Sequence, residues 1–268
     1  MKKILLSLAV TVISTLAANA QVDYGFETWV PAGSGSTIED PKGWASFNVV
    51  AALPLGMQQT VFKETTAPYA GNAAAKIVTQ PVPALAQVQG YDTVGLLIVG
   101  KVDVANQKIY YGTPYTARNA SFKFATKYQP VGLDTGWVDI ELTKWNATKS
   151  MPDVIAKGKW TSSATTTAWT SYEVVLTYDP DFANSMPDSL RIIASSSSLY
   201  RPKVGSTLYI DDITSTGWVS TNELPGINNN VTVFPVPASQ SVSFTSTLNA
   251  TIVEILDLAG RKVGSFQM

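Results

Sequence analysis

The sequence predicts an all-β protein, in which a jelly-roll β-sandwich is followed by a linker and a smaller, partial β-sandwich. Three observations support this fold class. Short segments rich in β-branched and aromatic residues recur along the chain, clusters of glycine and proline separate them, and no long segment after residue 20 carries a helical stripe. Many short strands joined by such turns are typical of a jelly roll. The predicted strands are residues 94–99, 121–128, 137–142, 172–178, 189–194 and 207–213.

The N-terminus has the features of a secretory signal peptide. Lys2 and Lys3 precede an apolar run over residues 4–18, and residues 18–20 form an A-x-A cleavage site, so the signal peptide is residues 1–20. No cysteine follows the site to carry a lipid anchor, and no later stretch is long enough for a transmembrane helix. We therefore expect export through the periplasm, to a secreted state or to the outer cell surface.

The composition excludes several kinds of chemistry. The chain has no histidine and no cysteine, which excludes imidazole zinc sites, a Ser-His-Asp triad, thiol nucleophiles and disulfides. After residue 20 it has 17 basic and 20 acidic residues, so its charge gives no general reason to bind nucleic acid. An enzyme of this composition would depend on carboxylate, lysine, tyrosine or serine chemistry.

The C-terminal part has a character of its own. Residues 218–230 are predicted to be a linker, because they combine proline, glycine and three asparagines with little apolar patterning. In residues 231–268, the motif residues are Val231, Val233, Pro235, Pro237, Ala238, Asp257, Gly260, Arg261 and Val263.

This motif set resembles the opening half of a type A sorting domain of the type IX secretion system, with Val236 where the family has asparagine. The resemblance implies that the type IX machinery of a Gram-negative bacterium carries the protein across the outer membrane, followed by release or attachment to surface lipopolysaccharide. Since the match covers only the opening half, we expect a truncated sorting domain. A simple β-hairpin unit is the alternative.

Residues 21–217 carry nine short motifs in a fixed order. They are Phe26-Glu27-x-Trp29, Pro41-x-Gly43-Trp44, Gly112-x-Pro114-Tyr115, Lys127-Tyr128-x-Pro130, Leu142-x-Lys144-Trp145, Ile155-Ala156-x-Gly158, Pro187-Asp188-Ser189, residues 195–198, and Gly205-Ser206-x-Leu208-Tyr209-x-Asp211. The order resembles the PCMD domain, a carbohydrate-metabolism domain of secreted and surface proteins, which often has Arg-Pro where Arg118-Asn119 stands here. The resemblance implies a jelly roll in a glycan context, without an established reaction.

Asp211 and Asp212 are adjacent acids in an otherwise apolar strand. Alternation points at least one of them toward the packed side unless the strand bends or ends, and a buried carboxylate needs a partner. The chain resembles jelly-roll carbohydrate-binding modules, in which an F-E near the first strand lies beside an L-Y-x-D-D strand. The resemblance implies that Glu27 and Asp211 or Asp212 hold a structural calcium ion with carbonyls of the 69–72 turn. Alternatively, Asp212 caps a turn and Asp211 is solvated.

Sugar binding needs aromatic faces beside hydrogen-bonding groups. Period-two spacing places Trp137, Asp139 and Glu141 on one face of a strand, so we expect a polysaccharide or other glycan to contact that face. Trp145, Trp160 and Trp169 fall in charged or Thr/Ser-rich segments that we expect to be exposed loops, with partial burial as the alternative. The candidate carbohydrate-binding residues are Trp137, Asp139, Glu141, Trp145, Tyr128 and Arg118.

Three function classes follow from these residues. A non-catalytic glycan-binding protein is the main expectation, and a structural or adhesive surface protein is the second. The third is a glycosidase that uses Asp139 and Glu141, which the spacing places about 6.5–7 Å apart at their Cα atoms. Because both acids lie on one strand face, whereas a glycosidase attacks its bond from two sides, we expect a binding protein rather than an enzyme.

Overall fold

A computed structural model describes residues 21–54, 57–83, 92–219, 231–234, 243–246, 252–256 and 262–267. The chain divides into two compact units between Val219 and Ser220. The predicted signal peptide and residues 220–230 of the predicted linker lie outside the described residues. No helix within the described ranges has the length and apolar character needed to cross a membrane.

The first unit is a sandwich of two antiparallel sheets, with strands numbered along the chain. The larger sheet contains β3 (Trp44–Ser46), β8 (Leu96–Asp103), β9 (Lys108–Tyr111), β10 (Thr113–Pro114), β12 (Gly136–Asn146), β13 (Met151–Ser162), β15 (Thr177–Tyr178) and β16 (Ser189–Ser195). Their order is β15-β13-β12-β16-β8-β3, with β9 paired to β8 and β10 paired to β16. The smaller sheet has the order β14-β11-β17-β5-β4, where these are residues Thr166–Val175, Ser121–Gln129, Thr207–Thr216, Ala74–Val78 and Val61–Glu64.

Short elements close the ends of the sandwich. β1 (Trp29–Pro31) pairs with β2 (Glu39–Pro41), and β6 (Gln80–Pro81) pairs with β7 (Thr93–Val94). The helix α1 (Asn48–Ala51) follows β3, and a 3-10 helix covers Pro180–Phe182.

Apolar residues at every second strand position fill the space between the sheets. Val138, Ile140 and Leu142 of β12 are fully buried, and Phe122 and Phe124 of β11 face them from the other sheet. The predicted jelly-roll β-sandwich is therefore confirmed.

Several predicted segments differ in detail from the observed strands. Residues 94–99 are divided at Gly95, because β7 ends at Val94 and β8, which belongs to the larger sheet, begins at Leu96. Residues 172–178 do not form one strand, because β14 ends at Val175 in the smaller sheet and β15 starts at Thr177 in the larger one. Trp145, Trp160 and Trp169, expected in exposed loops, lie on β12, β13 and β14. Trp160 is buried in the core between the sheets, whereas Trp145 is exposed and Trp169 is half-buried where the pairing of β11 with β14 shifts register.

The second unit contains two antiparallel strand pairs in its described residues. β18 (Val231–Phe234) pairs with β19 (Ser243–Ser246), and β20 (Ile252–Leu256) pairs with β21 (Lys262–Gln267). Most of the predicted sorting motif, including Pro235, Asp257 and Arg261, lies outside the described residues.

Candidate functional site

The outer face of the larger sheet, which points away from the smaller sheet, carries ion pairs between neighbouring strands. Asp139 lies opposite Lys159 of β13, and the Lys159 Nζ is 3.1 Å from Asp139 Oδ1. Glu141 lies opposite Arg191 of β16, and the Arg191 Nη1 is 2.8 Å from Glu141 Oε2. The two carboxylates therefore share one face, and each has a cation beside it.

An open groove with a volume of about 580 Å³ crosses this face, and we call it the outer groove. Its lining includes Tyr110, Tyr111, Trp145, Met151, Asp188 and Arg191. Trp145 is 57% exposed, and Tyr110 and Tyr111 are also exposed. The Arg191 guanidinium lies 5.0 Å from the centre of the Tyr111 ring, which links the aromatic rim to the Glu141 ion pair. The outer groove thus combines exposed ring faces with polar groups that have fixed positions.

Trp137 is buried on the same face, although its spacing predicted an exposed ring. It is only 8% exposed and packs with Phe47 and Leu96 in a second apolar cluster. Its Nε1 donates to the Ser197 carbonyl at 3.1 Å, and the Lys159 Nζ lies 4.9 Å from its ring centre. The ring is covered by residues distant in sequence, which strand periodicity does not reveal.

Tyr128 and Arg118 are buried away from the outer groove. Tyr128 is fully buried in the core between the sheets, where its hydroxyl donates to the Ser196 carbonyl at 3.1 Å and burial raises the pKa of the phenol well above its usual value. Arg118 is 3% exposed, and its Nη1 donates to the carbonyls of Phe182 and Ser185. Of the six candidate sugar-binding residues, the structure places Asp139, Glu141 and Trp145 on the outer face, where Trp145 lines the outer groove and the two acids line a separate depression beside Lys159. It buries Trp137, Tyr128 and Arg118.

Asp211 has its partners in the backbone. The side chain is fully buried; its Oδ2 accepts the N–H of Tyr69 at 2.9 Å and of Ala70 at 3.1 Å, and its Oδ1 accepts the N–H of Asp212 at 2.8 Å. Burial raises the pKa of Asp211, and the three N–H groups oppose that effect. Asp212 adopts a φ of +49° where the pairing of β17 with β11 shifts register. The strand therefore bends between the two acids, and Asp211 alone is buried.

Glu27 holds the other half of the same turn. Both of its carboxylate oxygens lie 2.9 Å from the backbone N–H donor of Asn72, and Oε2 also accepts from Asn72 Nδ2 at 3.2 Å. Gly71, the residue before Asn72, has a φ of +60°. A Cβ on Gly71 would overlap Oε1 of Glu27. Glu27 and Asp211 together fix residues 69–73, which we call the pinned turn.

The predicted calcium site involves these same residues. The backbone of the pinned turn donates N–H groups to Glu27 and Asp211, whereas calcium binds oxygen atoms. Within the described ranges, no three or more acidic side chains are grouped closely enough to hold a metal ion. Backbone amides thus provide the partners that the sequence analysis assigned to calcium. Calcium binding by Glu27, Asp211 and Asp212 stays a prediction, which a chelator experiment tests.

Sequence reasoning missed Tyr110 and Tyr111. They lie on β9, which forms a hairpin with β8 at one end of the larger sheet. Two adjacent tyrosines before Gly112, in a segment with little apolar content, were the available signal. On an edge hairpin both faces are open to solvent, so neighbouring aromatic residues are both exposed.

Comparison with known proteins supports the fold class. No protein-family model and no curated protein sequence matches the chain. Among solved structures, the chain is similar to a candidate glycoside hydrolase from Bacteroides thetaiotaomicron, with 16% identity, a TM-score of 0.56, and coverage of 76% of this chain and 72% of that one. It is also similar to a candidate glycoside hydrolase from Bacteroides vulgatus, with 17% identity, a TM-score of 0.51, and coverage of 72% and 96%. At these identities the similarity establishes a shared β-sandwich fold.

Proposed function

We propose that this protein is a non-catalytic glycan-binding protein, exported to the cell surface or secreted by a Gram-negative bacterium, that binds a polysaccharide in the outer groove. The observation that carries the proposal is the placement of the exposed rings of Trp145 and Tyr111 on one groove with Arg191, whose guanidinium is paired with Glu141. Ring faces pack against the C–H faces of a sugar, and the charged groups hydrogen-bond its hydroxyls.

The groove is suited to binding because its polar groups are already held in place. The Trp145 backbone N–H donates to Asp188 Oδ2 at 2.8 Å, which fixes the strand segment that carries the ring. Arg191 is held by Glu141 on one side and lies beside the Tyr111 ring on the other. Groups that are ordered before binding lose little conformational entropy when a ligand arrives.

A glycosidase is the second candidate, because the two similar solved structures are named as candidate glycoside hydrolases. A glycosidase needs one protonated carboxylic acid and one carboxylate on opposite sides of the scissile bond. Asp139 and Glu141 lie two residues apart on one strand face, and each is paired with a cation of a neighbouring strand, so they do not face each other across a bond. This arrangement supports binding over hydrolysis.

Export rests on the sequence. The signal peptide at residues 1–20 and the type IX resemblance of residues 231–268 support passage through the periplasm and across the outer membrane. Deletion of residues 231–268 should leave the protein in the periplasm, as measured by immunoblotting of cell fractions. Unchanged secretion of the deletion variant would refute the sorting role.

A glycan array of neutral polysaccharides, followed by calorimetry on each hit, tests the binding site. Trp145→Ala should weaken binding by roughly 30-fold, since a buried aromatic anchor at an interface contributes about 2 kcal/mol. Trp218→Ala is the matched control, because Trp218 is 77% exposed and does not line the outer groove. An array without hits from folded protein would favour the adhesive alternative. Sugar release that Asp139→Asn abolishes would favour the glycosidase.

A further inference from the structure

The outer face of the smaller sheet carries a second set of aromatic and charged side chains, on the opposite side of the sandwich from the outer groove. In register across neighbouring strands lie Phe62, Lys76, Tyr209 and Lys127. Trp169 of β14 completes the set beside Lys127. Aromatic rings and lysines thus alternate across all five strands, and we call these five residues the aromatic–lysine row.

The contacts within the row are close. The Lys127 Nζ lies 4.5 Å from the ring centres of both Trp169 and Tyr209, whose rings meet edge to face at 6.3 Å. The Lys76 Nζ lies 5.7 Å from the Tyr209 ring centre and 6.0 Å from that of Phe62. With strands about 4.8 Å apart, the row extends for about 19 Å, enough for several linked sugar units.

Neither lysine of the row forms an ion pair with a carboxylate in the described part of the chain, although the charge of Lys127 acts on Glu64. Lys123 lies four residues before Lys127 on β11, and its Nζ is 3.5 Å from Oε2 of Glu173. Glu64 is the acid that interacts electrostatically with Lys127, and its Oε1 accepts the N–H groups of Thr66 and Ala67. Ammonium groups held over ring faces form a local cationic strip on a chain whose formal net charge is −1.

The pinned turn forms a wall on one side of the row. The Tyr69 ring lies 6.0 Å from the Trp169 ring, and the Trp169 Nε1 donates to the Ala67 carbonyl at 2.9 Å. Because Glu27 and Asp211 hold this turn, the indole at the end of the row has a fixed orientation. The row therefore has the rigidity expected of a preformed site.

We propose that the aromatic–lysine row binds an acidic polysaccharide, with carboxylate or sulfate groups on its sugars. The rings of Phe62, Tyr209 and Trp169 pack against the C–H faces of successive sugars, and the ammonium groups of Lys76 and Lys127 between them pair with the anionic substituents. Charge complementarity selects this ligand over a neutral glycan. The site is independent of the outer face of the larger sheet, where the cations Arg191 and Lys159 are already paired with carboxylates.

Calorimetry on the full chain tests this proposal with three probes: oligogalacturonate, which carries carboxylates, κ-carrageenan oligosaccharides, which carry sulfates, and neutral dextran. At least one acidic probe should bind, and added NaCl should weaken its binding. The Lys76→Gln/Lys127→Gln double variant should bind it at least about tenfold more weakly, whereas Lys123→Gln should stay within about twofold of the wild type because its charge is already paired.

Thermal melting establishes that the lysine variants remain folded. Trp145→Ala should leave the binding of the acidic probe unchanged. The experiment therefore distinguishes a wrong proposal for the aromatic–lysine row from a wrong proposal for the outer groove. The proposal is overturned if neither acidic probe binds, if the double variant binds as tightly as the wild type, or if Lys123→Gln weakens binding as much as the double variant. Equal binding of dextran at the row would also overturn it.

Discussion

Replacement of Asp211 by alanine should destabilise the first unit by about 3 kcal/mol. The side chain is fully buried and accepts three backbone N–H groups, from Tyr69, Ala70 and Asp212. A hydrogen bond contributes about 1 kcal/mol, and one to a charged group contributes more. Since burial raises the pKa of this carboxyl, desolvation offsets part of that gain, and the lower value for each bond applies.

Urea unfolding, followed by tryptophan fluorescence, measures the loss. Asp212→Gly is the matched control, because Asp212 has a φ of +49° that glycine adopts without strain, and this variant should stay within about 1 kcal/mol of the wild type. If Asp211→Ala costs less than about 1 kcal/mol, or no more than Asp212→Gly does, then the carboxylate does not hold the pinned turn and this reasoning is wrong.

Three further predictions concern calcium, Gly71 and Asp40. Calcium bound by Glu27, Asp211 and Asp212 should raise the melting temperature, and a chelator should reverse that rise; equal melting temperatures would show that the backbone amides alone hold Glu27 and Asp211. Gly71→Ala should lower the free energy of unfolding, measured in urea, by about 2 kcal/mol, and by more than Gly35→Ala does. Of these two glycines, only Gly71 would bring its new Cβ against a side chain, so equal losses would contradict the contact with Glu27. Burial raises the pKa of Asp40 from 3.8 to about 6, so the unfolded chain loses this proton first as the pH rises, and stability should fall by about 2 kcal/mol between pH 4 and pH 7. The Asp40→Asn variant should not lose stability over this pH range. If the stability of the two proteins falls in parallel as the pH rises, the loss does not come from Asp40.

The strands that alternate most clearly were predictable. Residues 121–128, 137–142, 189–194 and 207–213 all lie within observed strands, because one face of each is buried in the core and must be apolar. β13 was not predicted, although it is long and pairs with β12 along its length. Among the described strands, β13 pairs otherwise with only the two-residue β15, so much of β13 lies near the sheet edge and carries lysines, a proline and a glycine.

The candidate sites were only partly predictable, because periodicity assigns a side chain to a face but does not show what covers that face. Asp139 and Glu141 follow their spacing, whereas Trp137, at the same spacing, is covered by Phe47 from a distant part of the chain. For Asp211 the sequence required a buried partner, and that partner is the backbone of residues 69–70 rather than a charged group. Backbone donors are present at every residue but proline, so no sequence motif indicates them.

Cross-strand register also decides the charge of each outer face. On the larger sheet, Lys159 and Arg191 lie opposite Asp139 and Glu141, so the charges cancel between neighbouring strands. On the smaller sheet, Tyr209 lies between Lys76 and Lys127, and an aromatic ring attracts an ammonium group without neutralising it. If cross-strand register determines which ligand each outer face binds, a neutral glycan and an acidic glycan occupy opposite faces and bind at the same time. Saturation with one should then leave the affinity for the other unchanged, and competition between them would mean that both ligands use a single face.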